Sequence, residues 1–167
     1  MIGSIAVVAL ALILAVFFAV PRGVSVSVDS VETSEFSWNR TGSSYNLQLS
    51  VQLVAQNPNY AHASLTGALS VYFFDMPAGK QLLDDFLLKR CSTHKFSVEM
   101  KANQLDQSYR MTVVERCLAA PHELIFFLRA EMDAHFLGHK QEIPKIDTYF
   151  VVNCTLNGTY LLPSELT

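Results

Sequence analysis

The side chains of this 167-residue chain that could do chemistry are few and scattered. Cys91, Cys117 and Cys154 lie far apart and lack metal-ligand spacing. Three thiols permit one disulfide and leave one sulfur over, and spacing alone does not choose the pair. Asp84-Asp85 offers two carboxylates, the groups of acid–base catalysis or of a metal site. Neighbours on a strand point to opposite faces, so the pair reads as a solvated strand end. His135 and His139 bracket a turn, but no further His or Cys lies nearby to complete a zinc set. A pH-sensitive surface pair is the better expectation for them. No serine elbow, glycine-rich phosphate loop or Cys–His nucleophile pattern occurs. No catalytic residues, metal ligands or cofactor are expected.

Charge and modification signals narrow the class further. Twelve basic and fifteen acidic residues give a formal charge of -3 with no basic run, so nucleic-acid binding has no electrostatic support. Charging all five histidines would carry the total to +2. Three sequons stand at Asn39-Arg40-Thr41, Asn153-Cys154-Thr155 and Asn157-Gly158-Thr159. Behind a membrane segment they favour a lumenal or extracellular location, where disulfides persist.

That segment is Met1–Val20, which holds no ionisable side chain. Ile5–Val20 is built only from Ala, Val, Leu, Ile and Phe. As a helix rising ~1.5 Å per residue, Met1–Val20 would reach roughly 30 Å, the thickness of a bilayer's hydrocarbon core. Pro21 and Arg22 end it. A cleavable signal would carry a basic n-region and a small-x-small site. No basic residue precedes this run, and Phe17 stands where a small residue is wanted. An anchor over residues 1–22 is therefore expected, with one domain over 23–160 and a tail over 161–167.

The domain reads as strand after strand. Period-two alternation marks Val24–Asp29 and, most clearly, Tyr45–Gln56, with Trp38–Ser44 and Asn57-Pro58-Asn59 as turns. Further strands are read over Ser64–Asp75, Gln81–Lys89, Thr93–Met100, His122–Phe136 and Lys145–Cys154. Met76-Pro77-Ala78-Gly79 and Gly138-His139 supply turns. Helical spacing of Leu105, Tyr109, Thr112, Val113 and Arg116 or Cys117 predicts a short helix over Asn103–Leu118, capped by Asn103. Seven strands with turns every ten or so residues predict a β-sandwich. Phe73-Phe74 and Phe126-Phe127 read as core and sheet packing. Leu124–Leu128 is apolar on both faces and needs cover on both.

Several of these residues resemble one family. Ala15-Val16-Phe17-Phe18-Ala19-Val20-Pro21-Arg22 is similar to the membrane exit of the transmembrane protein 106 family. Gln56-Asn57-Pro58-Asn59-Tyr60 resembles its Asn-rich stretch, and also the Asn-Pro-Asn of the related late-embryogenesis-abundant type 2 domains. Phe136-Leu137-Gly138-His139, an aromatic strand into Cys154 and the Asn157 sequon resemble its tail. The resemblance implies a type II single-pass protein of late endosomes and lysosomes with a lumenal immunoglobulin/fibronectin-III-like sandwich. It implies a Cys117–Cys154 disulfide, glycosylation at Asn157 and Cys91 as the free thiol. Asn39 and Asn153 draw no support from it, and a bridged Cys154 would hinder modification of Asn153. The chain departs from the family in beginning inside the membrane segment and in lacking sequons across Tyr45–Tyr60.

The expected function is non-enzymatic. The resemblance implies that the lumenal sandwich would mediate interactions in lysosomal organisation, acidification and trafficking, with membrane proteins such as vacuolar proton pump subunits as partners. A lipid-binding or lipid-transfer module is the second expectation, and an accessory single-helix subunit of a larger complex the third. Self-association into a homo-oligomer is compatible with each.

Overall fold

The computed structural model describes residues 7–13, 16, 20, 22–39, 41–155 and 158–161. Nine strands and one helix after Arg22 are found among them. In chain order they are β1 (Ser25–Asn39), β2 (Ser44–Asn57), β3 (Ala63–Phe73), β4 (Met76–Leu88), β5 (Ser92–Lys101), α1 (Gln107–Leu118), β6 (Glu123–Phe136), β7 (His139–Glu142), β8 (Ile146–Asn153) and β9 (Gly158–Leu161). The chain is mostly β, in two antiparallel sheets. One has the order β1-β2-β5, the other β4-β3-β6-β8-β9 with β7 folded back on β6. The two strands beyond the expected seven are the four-residue β7 and β9.

Alternation explains how the sheets bury a shared core. In β2, Leu47, Leu49, Val51 and Leu53 are fully buried while Gln48, Ser50 and Gln52 on the other face are not. Leu65, Leu69 and Val71 of β3 join them in one cluster with Leu124, Phe126 and Leu128 of β6. Each such leucine contributes about 2 kcal/mol of burial. The Phe126 ring lies 5.2 Å from Phe73 and 5.7 Å from Phe150, spanning β3, β6 and β8. Phe86 stacks on Phe96 at 4.0 Å, joining edge strand β4 to edge strand β5. On the opposite side β9 comes alongside β1.

Four local readings change. β1 runs on to Asn39 because register irregularities at Val28/Ser30 and Thr33/Glu35 reset its phase, carrying Val31 and Phe36 inward. The β3–β4 turn is Phe74-Asp75, not residues 76–79. Pro77 is tolerated because β4 is an edge strand. Gly79 is required because a Cβ there would run into the Lys101 carbonyl oxygen at the end of β5. Asp84 and Asp85 are exposed, but they sit at an irregularity within β4, opposite Leu65–Gly67, and not at a strand end.

The helix begins at Gln107 after Asp106, whose side chain makes no capping bond; Asn103 is not its cap. Residues 102–106 are instead extended and tied down, with the Ala102 N–H donating to the Leu47 carbonyl and that of Gln104 to the Ala78 carbonyl. Ala102 and Leu105 are buried there.

Residues 7–13 are helical and all seven are exposed. The Val20 N–H donates to the Val16 carbonyl at 2.9 Å, a helical spacing. Among the described residues no helix is long and apolar enough to cross a membrane. Much of the expected 1–22 span falls outside those residues.

Candidate interaction surface

Two ends and one outer face of the sandwich concentrate its polar and aromatic side chains. At one end the chain leading into β1 is held by carboxamides. Asn59 Oδ1 accepts from the Arg22 N–H at 2.6 Å, and its Nδ2 donates to the Arg22 carbonyl at 2.7 Å. Two residues on, Gln141 of β7 does the same to Val24, accepting at 2.9 Å and donating at 3.1 Å. Asn57 backs the first clasp. Its Oδ1 accepts from Asn59, and its Nδ2 donates to the carbonyls of Ala61 and Lys89. Both asparagines are buried, and the bonds meet the requirement that buried amides be paired. The Arg22 guanidinium lies 5.0 Å over the Tyr60 ring. Cys91, free and exposed, donates from its N–H to the Asn59 carbonyl at 2.9 Å.

The opposite end is closed by a disulfide between Cys117 and Cys154, with Cα atoms 5.4 Å apart. It fastens the last turn of α1 to the residue after β8. His122 sits between the half-cystines. Its Nδ1 donates to the Cys117 carbonyl at 2.8 Å, and its own carbonyl accepts from the Cys154 N–H at 2.8 Å.

The outer face of the second sheet divides in two. Near the disulfide it is apolar: Phe74 is 56 % exposed, Ile125 51 % and Phe127 40 %. Tyr72, Phe127 and Tyr149 stand opposite one another across β3, β6 and β8, with the Phe127 and Tyr149 rings 6.5 Å apart. Beside them opens an apolar groove of about 290 Å³ between Phe73, Phe74, Leu124, Ile125 and Phe127, with Arg116 and Glu123 also lining it. Further along the sheet the side chains pair off as ions: Arg129 with Asp147 at 3.0 Å, Lys145 with Glu131 at 2.7 Å and Lys140 with Asp133 at 3.0 Å. Lys145 holds the Glu131 carboxyl below the usual carboxylate range. Arg129 also lies 5.1 Å over the Tyr72 ring, at the boundary between the two zones.

The phenylalanine pairs therefore split. Phe73 and Phe126 are core, whereas Phe74 and Phe127 face outward. Strand alternation at Leu124–Leu128 was the signal available for this. His135 and His139 do not form a pair. In the β6–β7 register His135 stands opposite Lys140 and His139 opposite Phe136, so the pleat sends the two rings to opposite faces. His135 Nε2 lies 3.3 Å from Thr66 Oγ1. Among the described residues no group of three or more His, Cys, Asp and Glu could hold a metal ion.

Of the sequons, Asn39 is exposed at the end of β1, with its Oδ1 accepting from the Thr41 N–H at 2.9 Å. Asn153 is half-buried, and its Oδ1 accepts from both the N–H and the hydroxyl of Thr155. Asn157 lies outside the described residues.

No protein-family model and no curated protein matches this sequence. Among solved structures, the chain is similar to a protein from Archaeoglobus fulgidus, with 10% identity, 76% of this chain and 97% of that one covered, and a TM-score of 0.50. It is also similar to an X-ray structure of a Northeast Structural Genomics Consortium target, with 10% identity, 86% and 89% of the two chains covered, and a TM-score of 0.53. At such identities the likeness is one of fold alone.

Proposed function

We propose that this chain is a non-enzymatic, single-pass membrane protein whose lumenal sandwich binds other proteins through the apolar zone of its second sheet. The exposed Phe74–Ile125–Phe127 zone carries this reading. Large aromatic side chains flanking a shallow groove are the usual anchors of a protein interface. An acyl-chain carrier would need an enclosed apolar cavity. The groove here is small and opens at the surface, which favours the protein-binding reading over the lipid-transfer one.

The order β1-β2-β5 against β4-β3-β6-β8 supports an immunoglobulin/fibronectin-III-like assignment. Helical residues 7–13, apolar and exposed on every side, support the anchor over residues 1–22. The Cys117–Cys154 bridge supports an oxidising lumen. With the family resemblance, late endosomal and lysosomal membranes are the proposed location and membrane proteins such as proton pump subunits the proposed partners.

The test is copurification of the full chain from membranes, comparing wild type with Ile125→Ser/Phe127→Ser. Loss of the specifically bound protein by a variant that keeps its unfolding midpoint supports the reading. An unchanged set of partners contradicts it.

A further inference from the structure

The clasped end of the sandwich gathers four segments that are distant in sequence. Arg22 is bonded to Asn59, Asn57 to the Lys89 carbonyl, Cys91 to Asn59, and Val24 to Gln141. Residues 22–24, 57–63, 87–92 and 135–141 thus form one surface. It contains Arg22, Lys89, Arg90 and Lys140 together with His62, His135 and His139, and no Asp or Glu, in a chain whose net charge is -3. Lys89, Arg90, His62 and His139 are exposed; Lys140 is exposed and paired with Asp133. Asp133 meets Lys140 at the edge of this surface, and Lys89 and Arg90 are exposed cations on it.

Two leucines are exposed at this end. Leu137 is 67 % exposed at the tip of the β6–β7 hairpin, at φ 48° followed by Gly138 at φ 76°. Such a turn favours Asn, Asp or Gly at its first central position, where no side chain need project. Leu87, 60 % exposed and paired with Ser64, lies two residues before Lys89 near the end of β4. Tyr60 completes the set beneath the Arg22 guanidinium. Apolar tips set among lysine, arginine and tyrosine match the layered chemistry of a bilayer surface, where alkyl groups enter the interface and cations meet headgroups.

We infer that this end is a docking surface for anionic lipid headgroups, which holds the sandwich against the membrane its own anchor enters. The inference rests on the anchored reading above. It adds that the domain is seated on the bilayer, with its Phe74–Ile125–Phe127 zone turned away at the far end. Because the two carboxamide clasps fix the backbone of residues 22 and 24, the anchor and the basic surface are held together.

The test uses the full chain in nanodiscs of phosphatidylcholine alone and of phosphatidylcholine mixed with phosphatidylserine, read by backbone hydrogen exchange. Residues 60–62, 89–91 and 137–139 should exchange severalfold more slowly on the anionic discs only, and added salt should remove the difference. Lys89→Glu/Arg90→Glu should abolish the slowing while protection of β2 and β6 is kept. Incorporation with equal exchange on both discs overturns the docking alone. Equal slowing on both discs relative to the chain in detergent also overturns it, because the contact would then not depend on headgroup charge. Recovery of the chain in the lipid-free fraction overturns the anchored reading and the docking with it.

Discussion

Asn59 holds Arg22 by both of its backbone polar groups, with the N–H and the carbonyl each taken by the same carboxamide at 2.6 and 2.7 Å. A donor must meet a carbonyl and an acceptor an N–H, so the amide orientation is fixed by its partners. The bond spans 37 positions in the chain.

Asn59→Ala should lower stability by about 3 kcal/mol, because buried amide partners left unpaired cost about 1–3 kcal/mol each. Urea unfolding measures the loss. Hydrogen exchange at residues 22–24 should accelerate more than that in β6. Gln141→Ala, at a half-buried site, should lower stability by only about 1 kcal/mol.

Replacing Cys117 and Cys154 together by Ser opens a bridge across 37 positions. Chain entropy predicts a loss of roughly 3–4 kcal/mol. Denaturant midpoints of the double variant and of the oxidised wild type give the comparison. Cys91→Ser, which touches no bridge, should leave the midpoint close to that of wild type.

Gly79→Ala should be among the most damaging single methyl additions. The added Cβ meets the Lys101 carbonyl and the Ala102 Cα, both of them backbone, so relief requires moving β4 away from the end of β5. A loss of at least about 2 kcal/mol is expected, read as a lower thermal midpoint.

The buried phenol of Tyr45 gives an alkaline signature. Burial pushes its pKa well up, against the opposing effects of the Leu105 backbone and the Arg110 charge. A phenol that is harder to ionise folded than unfolded contributes stability that is whole below the ordinary value of about 10. That contribution declines as pH rises from there towards the folded value, because only the unfolded chain has released the proton. Wild type should therefore lose stability faster than Tyr45→Phe above about pH 10. Parallel slopes for the two proteins would contradict this.

Sequence patterning located elements wherever alternation ran without interruption. Tyr45–Gln56 falls within one residue of β2 at each end because no bulge disturbs it. β1 was legible only to Asp29, since each register irregularity reverses which residues point inward. Pro77 and Gly79 imitate a turn although one lies on an edge strand and the other makes room for β5. The pairing of cysteines was open from spacing and was supplied by family resemblance. The clasps were beyond reach, because Asn59–Arg22 and Gln141–Val24 are side-chain to backbone bonds made only once both sheets are assembled. Strand alternation puts Ile125 and Phe127 on the face opposite Leu124, Phe126 and Leu128, and the assembled sheet leaves that face exposed.

We propose a sandwich held on the lumenal side of a membrane by the segment before Arg22. The direct measurement is protease protection of the full chain in sealed vesicles from cells, with alkaline extraction and glycosidase treatment of the same sample. The sandwich should stay in the pellet, be digested only after detergent is added, and shift in mobility with glycosidase. A chain released by alkali, or digested in intact vesicles and unshifted by glycosidase, would contradict it.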